Sequence, residues 1–88
     1  MIATAEVTVT NPSGLHARPA TELVKVASAL TSTTHLVLDD RTIDARSVLS
    51  VMGAAIAGGR TLTVRCEGEQ ADADLQAVVD AFAAGLGE

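Results

Sequence analysis

The spacing of hydrophobic residues switches between two periods along this chain, and that switching constrains the fold more than any other feature. From Ile2 to Thr10 apolar and polar residues alternate, which is the pattern of a strand with one buried face. Its inward residues are predicted to be Ala5, Val7 and Val9. After a loop at residues 11–14, apolar residues recur three and four positions apart, as on one face of a helix. This stripe is predicted to be Ala20, Leu23, Val24, Ala27 and Leu30.

The same two patterns predict three more strands and two more helices. The strands are predicted at residues 33–38, 41–43 and 60–66, with turns at 39–40 and 58–59. Ser47 is a preferred first residue and can cap a short helix through about Gly53. The last helix is predicted from the stripe Leu75, Val78, Val79, Phe82 and Leu86. Near its start, three acidic residues are expected to be solvated and to complement its dipole: Glu69, Asp72 and Asp74.

The predicted element order is β-α-β-β-α-β-α, which indicates an α+β fold. We expect an open-faced two-layer β-sandwich, a four-stranded antiparallel sheet with three helices on one face. The first and second strands should be parallel to each other with the fourth between them, because the crossover between them must be right-handed. Residues 1–88 are expected to form a single domain.

Composition and charge exclude several classes of function. Six Lys and Arg stand against eleven Asp and Glu, for a formal net charge of −5, and the only aromatic residue is one Phe. Nonspecific nucleic-acid binding needs phosphate-neutralising cations and aromatic stacking platforms, so no nucleic-acid partner is expected. The core must then be built mainly from Val, Leu, Ile and Ala.

The single cysteine and the absence of targeting patterns indicate the compartment. Cys66 excludes an internal disulfide and a cysteine-based metal cage, and it is compatible with a reducing cytoplasm. No apolar run approaches 18 residues, and no charged region followed by an apolar one begins the chain. We expect a soluble cytoplasmic protein that holds no metal or cofactor and does not insert into a membrane. Cys66 is expected to be buried, and His35 to lie on the sheet surface or pack there.

The stretch "NPSGLHARPA", residues 11–20, carries most of the functional signal. Pro19 fits the first turn of a helix, which therefore begins around His16 or Ala17. A helix start offers unpaired N–H groups and partial positive charge, Arg18 adds a fork of donors, and together they suit a phosphate. The neutral ring of His16 is a nucleophile beside this anion site, as transient histidine phosphorylation requires. A single histidine near a helix start is also commonly just a surface residue, and spacing alone leaves that alternative open.

"GLHARPA" resembles the active-site signature of the HPr family, the histidine-containing phosphocarriers of the bacterial phosphotransferase system. The resemblance covers essentially the whole chain: "ARSVLSVMG" is similar to the family's second characteristic segment, and "GLGE" to the tails of some members. It implies a phosphohistidine at His16, modified on Nδ1, with Arg18 pairing with the phosphoryl group. Ser13 and Ala17 are then expected to support the phosphate.

The resemblance also implies a partner surface and a second modification site. Residues matching the family's partner contacts are Ala20, Val48, Leu49 and Met52. Ser47 matches the serine that an ATP-dependent kinase modifies in some Gram-positive lineages. Helix capping alone also explains Ser47, and "SVLSVMGAA" departs from the kinase-competent "SIMGVMSLG" type, with Ser50 in place of a glycine. Regulation at Ser47 therefore stays open.

The implied reaction is carriage, not catalysis of its own. Enzyme I, charged by phosphoenolpyruvate, gives its phosphoryl group to His16, which passes it to the IIA components of sugar transporters. HPr kinase/phosphorylase is a further expected partner, and the carrier is expected to be a monomer. Two alternatives remain: a nitrogen-regulatory paralogue with the same chemistry, and a pure interaction module whose histidine is silent.

Overall fold

Four strands and three helices follow one another in the predicted order in the computed structural model, which describes all of residues 1–88. The strands are β1 Ile2–Thr8, β2 Thr33–Leu38, β3 Arg41–Asp44 and β4 Thr61–Glu67. The helices are α1 Ala17–Ser28, α2 Val48–Gly53 and α3 Ala71–Ala83. No helix has the length and apolar character that crossing a membrane requires.

The sheet has the order β1-β4-β2-β3, and each strand is antiparallel to its neighbours. β4 pairs with β1 on one side and β2 on the other; Val64, for example, lies opposite both Ala5 and Leu36. β1 and β2 are consequently parallel to each other with β4 between them, which confirms the predicted topology. β1 and β2 can be parallel because the long connection through α1 crosses from one to the other, and β4 pairs antiparallel with both.

The three helices cover one face of the sheet and leave the other open. Burial alternates along β4, where Leu62, Val64 and Cys66 are buried, while Thr61 and Glu67 are exposed. α3 packs on β1 and β4, and α1 packs against both α2 and α3. The core is almost entirely aliphatic, as predicted, with Phe82 as its only aromatic side chain. His35 is half-buried in β2, opposite Arg65 and Asp44.

The prediction that Asp74 is a solvated dipole partner is wrong. Its side chain is buried, and Oδ2 accepts hydrogen bonds from Ser32 N at 2.9 Å and Thr31 Oγ1 at 3.3 Å. Hydrogen bonds from Ser32 and Thr31 hold the pKa of the Asp74 carboxyl below its usual value, against the opposing effect of burial. Asp74 therefore ties α3 to the loop between α1 and β2.

Leu86 lies outside the last helix, although it was predicted as part of the helical stripe. α3 ends at Ala83, and Gly85 adopts φ +88°, a conformation that ends helices. Leu86 N then donates to Ala81 O at 3.1 Å, and the Leu86 side chain turns back into the core. The burial of Leu86 was predicted correctly, but a turn after α3 achieves it and not the helix itself.

Burial raises the pKa of the Cys66 thiol, which lies beside Thr34.

Candidate functional site

The loop that leads to His16 is held against the loop after α2 by two close backbone approaches. Gly14 has φ +75°, and a β-carbon there would collide with Ile56 O. A β-carbon on Gly58 would meet Asn11 O and would lie 2.8 Å from Pro12 O. Leu15 N donates to Ile56 O at 2.9 Å. These contacts fix the direction from which the chain enters α1. They also bring Ile56, in the loop after α2, beside Leu15, the residue before His16.

His16 is the N-cap residue of α1, which begins at Ala17 as predicted. Its backbone is extended, with φ −124° and ψ 152°, and its side chain is exposed and makes no capping hydrogen bond. The first turn contains no acidic residue, and Pro19 in that turn has no N–H to satisfy. The ring nitrogens are thus free to react, and the N–H groups of the helix start have no side-chain acceptor.

Ala17 adopts φ +43°, the left-handed region that non-glycine residues rarely occupy. Such a backbone costs about 1–3 kcal/mol. Asp39, Ala55 and Leu86 also adopt a positive φ, outside the start of α1. The carbonyl of Ala17 accepts a hydrogen bond from Thr21 Oγ1 at 3.0 Å, one turn further along α1. The strained residue is therefore the one that joins His16 to the helix.

Arg18 is exposed and forms no ion pair, whereas Arg46, Arg60 and Arg65 each pair with a carboxylate. Its guanidinium thus has no carboxylate partner, and it belongs to a residue of the first turn of α1. Donors of this kind suit phosphate oxygens. Ser13 is exposed in the turn before His16.

Ala20 cannot belong to a partner surface, so the partner contact that the resemblance implies is wrong at this residue. Its exposed fraction is 0%, because it lies on the face of α1 that packs into the core. The helical periodicity had placed Ala20 inward, and the burial follows from that pattern. No side-chain surface is left on it for a partner to touch.

Three residues of α2 form an exposed apolar patch, which we call the α2 patch: Val48, Leu49 and Met52. Leu49 is 82% exposed, and Val48 and Met52 are 36% and 37% exposed. α2 packs against α1, and the loop after α2 is hydrogen-bonded to Leu15. Exposed apolar residues clustered in this way are typical of interaction sites.

Ser47 is the N-cap of α2, as predicted. Its Oγ accepts a hydrogen bond from Ser50 N at 3.2 Å, and the side chain is half-buried. The capping role is thus present in the structure. A phosphate on this hydroxyl would lie directly before the α2 patch.

Sequence reasoning missed the roles of Asn11 and Gly58. The sequence predicts only a loop residue at Asn11, yet its buried side chain binds the C-terminal tail, 74 residues away. It predicts only a chain break at Gly58, yet the lack of a side chain there allows the backbone of residues 11 and 12 to approach closely. Neither role has a local sequence signal, because both depend on segments that are distant along the chain.

Comparisons with known proteins show the family of this chain. The family model described as "PTS HPr component phosphorylation site" matches residues 3–84. The phosphocarrier protein HPr of Xylella fastidiosa is 39% identical over 77 residues, which is 88% of this chain and 86% of that protein. The multiphosphoryl transfer protein of Salmonella typhimurium is 38% identical over 90 aligned residues, which is 99% of this chain but 24% of that longer protein.

A solved structure agrees in fold as well. The crystal structure of HPr-C-His from Thermoanaerobacter tengcongensis superposes with a TM-score of 0.92, at 28% identity, covering 98% of this chain and 97% of that one. Sequence and fold together place this protein among the phosphocarriers of the phosphotransferase system. Within that class, the chain belongs to the HPr family.

Proposed function

We propose that this chain accepts a phosphoryl group on His16 Nδ1 from phosphoenolpyruvate-charged enzyme I and passes it to the IIA components of sugar transporters. It acts as a carrier and not as an enzyme with its own turnover. The observation that carries the proposal is the uncapped start of α1. An exposed histidine with free ring nitrogens lies there beside unsatisfied N–H groups and an unpaired arginine.

The chemistry follows from that arrangement. The lone pair of the neutral Nδ1 attacks phosphorus, a P–N bond forms, and the bond between phosphorus and the donor breaks with its electron pair leaving on the donor. The phosphoryl oxygens then face the positive end of α1 and the Arg18 guanidinium. Transfer to IIA reverses these steps, with His16 as the leaving group. A shallow, exposed site with one cation stabilises the phosphoryl group without trapping it.

The α2 patch is the proposed docking surface for enzyme I and the IIA components. A carrier must leave one partner before meeting the next, so these interfaces should be small, below about 1,200 Å². Ser47, directly before the patch, is the proposed regulatory site of HPr kinase/phosphorylase. Its modification would introduce about −1.5 to −2 charges at the edge of an apolar surface.

Residues 1–88 are proposed to act as one HPr-like domain, as a monomer, in the cytoplasm where phosphoenolpyruvate is made. The family match across residues 3–84 supports a single domain. The match to part of a multiphosphoryl transfer protein indicates that such a domain can also occur within a longer chain.

The test is phosphorylation of the purified chain with phosphoenolpyruvate, Mg²⁺ and a bacterial enzyme I. We expect one acid-labile phosphate on the wild type, none on His16→Ala, and a wild-type level on His35→Ala, the matched control that removes the other histidine. His16 is exposed at a helix start, so its truncation should leave the fold intact. Acid-labile phosphate remaining on His16→Ala would identify a different acceptor. A silent wild type would favour the interaction-module alternative.

A further inference from the structure

The side chain of Asn11 joins the loop before His16 to the C-terminal tail, residues 85–88. Asn11 is 4% exposed, and its Nδ2 donates to Gly85 O and to Glu88 Oε1, both at 2.8 Å. Its main-chain oxygen accepts a hydrogen bond from Gly14 N at 2.9 Å, which closes the turn before Leu15. One residue therefore fixes both the shape of this loop and its attachment to the tail.

The orientation of the Asn11 amide is determined by its surroundings. Both groups facing Nδ2 are acceptors, so an exchanged amide would lose two hydrogen bonds and oppose oxygen to oxygen. Oδ1 is buried and has no partner within the protein. An apolar residue here would remove this unpaired oxygen, but it would leave Gly85 O and Glu88 Oε1 without their shared donor. The two hydrogen bonds from Nδ2 to the tail are therefore what the asparagine contributes at this position.

The tail also runs beside the arginine on the other side of His16. Leu86 anchors it through its buried side chain and the hydrogen bond from Leu86 N to Ala81 O. A β-carbon built on Gly87 would lie 3.6 Å from Arg18 Nε, so the tail passes close to this side chain. The tail is thus bound to Asn11, five residues before His16, and adjoins Arg18, two residues after it.

We propose that Asn11 is a positioning residue for phosphoryl transfer, which holds the His16 loop and Arg18 in one geometry by clasping the C-terminal tail. This inference rests on the proposed transfer to His16. An in-line transfer requires the attacking nitrogen within about 3–3.5 Å of phosphorus and correctly aligned. Asn11 touches no reacting atom; it limits the orientations of the loop from which His16 emerges.

The experiment compares Asn11→Ala, Glu88→Ala and the double variant with the wild type in phosphorylation by enzyme I. We expect Asn11→Ala to lower the maximal rate about tenfold with little change in KM, below the ~10²-fold that a 1 Å misplacement can cost. The phosphorus NMR shift of the phosphohistidine should move as well. Glu88→Ala should have the same effect to a smaller extent. The double variant should be no slower than Asn11→Ala, because both changes open one clasp.

A matched control separates positioning from lost stability. Thr34→Ala also removes a buried polar side chain, one that bonds Cys66 Sγ at 3.6 Å inside the sheet, and it should leave rate and NMR shift unchanged. Wild-type rate and shift in Asn11→Ala, or an equal slowing in Thr34→Ala, would overturn the proposal. If Asn11→Ala does not fold, the Glu88→Ala variant is the test instead, because Glu88 is exposed. An unchanged transfer rate in Glu88→Ala would then overturn the proposal. A wild type that accepts no phosphate overturns the proposed function itself, and the clasp with it.

Discussion

The N-cap residues of α1 and α2 have similar extended backbones but different side-chain chemistry, and only α1 continues into a left-handed residue, Ala17. His16 and Ser47 are both extended N-cap residues, with φ −124°, ψ 152° and φ −111°, ψ 110°, and neither first turn carries an acidic residue. Ser47 Oγ accepts a hydrogen bond from Ser50 N, whereas the imidazole of His16 accepts none from its helix. The start of α2 is therefore satisfied by its own side chain, and the start of α1 is left open.

The difference shows how an anion site is built at some cost in stability. A good N-cap is worth about 1 kcal/mol, and the left-handed backbone of Ala17 costs about 1–3 kcal/mol more. α1 tolerates both because its other face is firmly packed, with Leu23 and Ala27 fully buried. Local rules of helix formation are broken at the candidate site and obeyed at α2, as expected where function and stability compete.

The largest expected effect comes from giving α1 the cap that α2 has. His16→Asn removes the nucleophile and supplies a strong N-cap acceptor on an extended backbone, directly before the left-handed Ala17. Phosphoryl acceptance should be abolished, while stability rises by about 1 kcal/mol, or roughly 4–8 °C in Tm for a domain of this size. The measurement is the Tm of His16→Asn compared with that of His16→Ala, which lacks a capping group. Equal Tm values for the two variants would mean that the start of α1 is not open in solution.

The next effect tests the free cation at the open helix start. Arg18→Ala should slow transfer about tenfold without abolishing it, since the ring nitrogen remains. Removal of a donor from an enclosed site costs ~10²–10³-fold, and the exposure of Arg18 reduces this effect. Stability should change by less than about 0.5 kcal/mol, because Arg18 forms no ion pair. Arg65→Ala, which removes the same charge from the open sheet face, is the control. Equal transfer rates for the two variants would show that Arg18 does not bind the phosphoryl group.

Removing the cap from α2 reverses the comparison. Ser47→Ala leaves Ser50 N without its acceptor and should lower stability by about 1 kcal/mol, or roughly 4–8 °C in Tm. Ser47→Asn keeps a capping oxygen and should restore the wild-type Tm. Ser28→Ala, at an exposed serine in the last turn of α1, should change little. If Ser47→Ala melts with the wild type, the Ser50 contact does not stabilise α2 in solution.

Most of the fold could be predicted because it follows from local spacing and element order. Alternation defines the inward face of β4, and the crossover through α1 allows β1 and β2 to be parallel with β4 antiparallel between them. Periodicity also placed Ala20 in the core, where it lies, whereas the resemblance placed it on the partner surface and was wrong. The physical pattern was the better guide at that residue.

The parts that could not be predicted are side-chain hydrogen bonds between distant segments. Asn11 bonds Gly85, 74 residues away, and Asp74 bonds Ser32, 42 residues away. Local preference describes Asn11 as a turn residue and Asp74 as a helix-start anion, and both descriptions suit many folds. The partners of Asn11 and Asp74 are set by tertiary packing. α3 and the tail pack against α1 and against the loops before and after α1, and this brings each side chain to its partner.

The smallest expected effect separates charge from capping at Ser47. Aspartate caps helices as well as serine does, and its charge at the start of α2 is favourable by about 0.3–1 kcal/mol. Ser47→Asp should therefore keep or slightly raise the Tm. Docking should suffer, because an anion next to the α2 patch must lose its water when a partner covers that surface. We expect the KM for phosphorylation by enzyme I to rise about fivefold, equivalent to ~1 kcal/mol.

Ser47→Asn is the matched control for this last change, since it differs from Ser47→Asp in charge and hardly in shape or capping ability. A higher KM in Ser47→Asp alone, with equal Tm in both variants, would assign the effect to charge at the partner surface. Equal KM values would mean that enzyme I does not cover the start of α2, and the proposed regulation through Ser47 would fail with that surface. The transfer chemistry at His16 would stand in either case, because the open start of α1 does not depend on how α2 is capped.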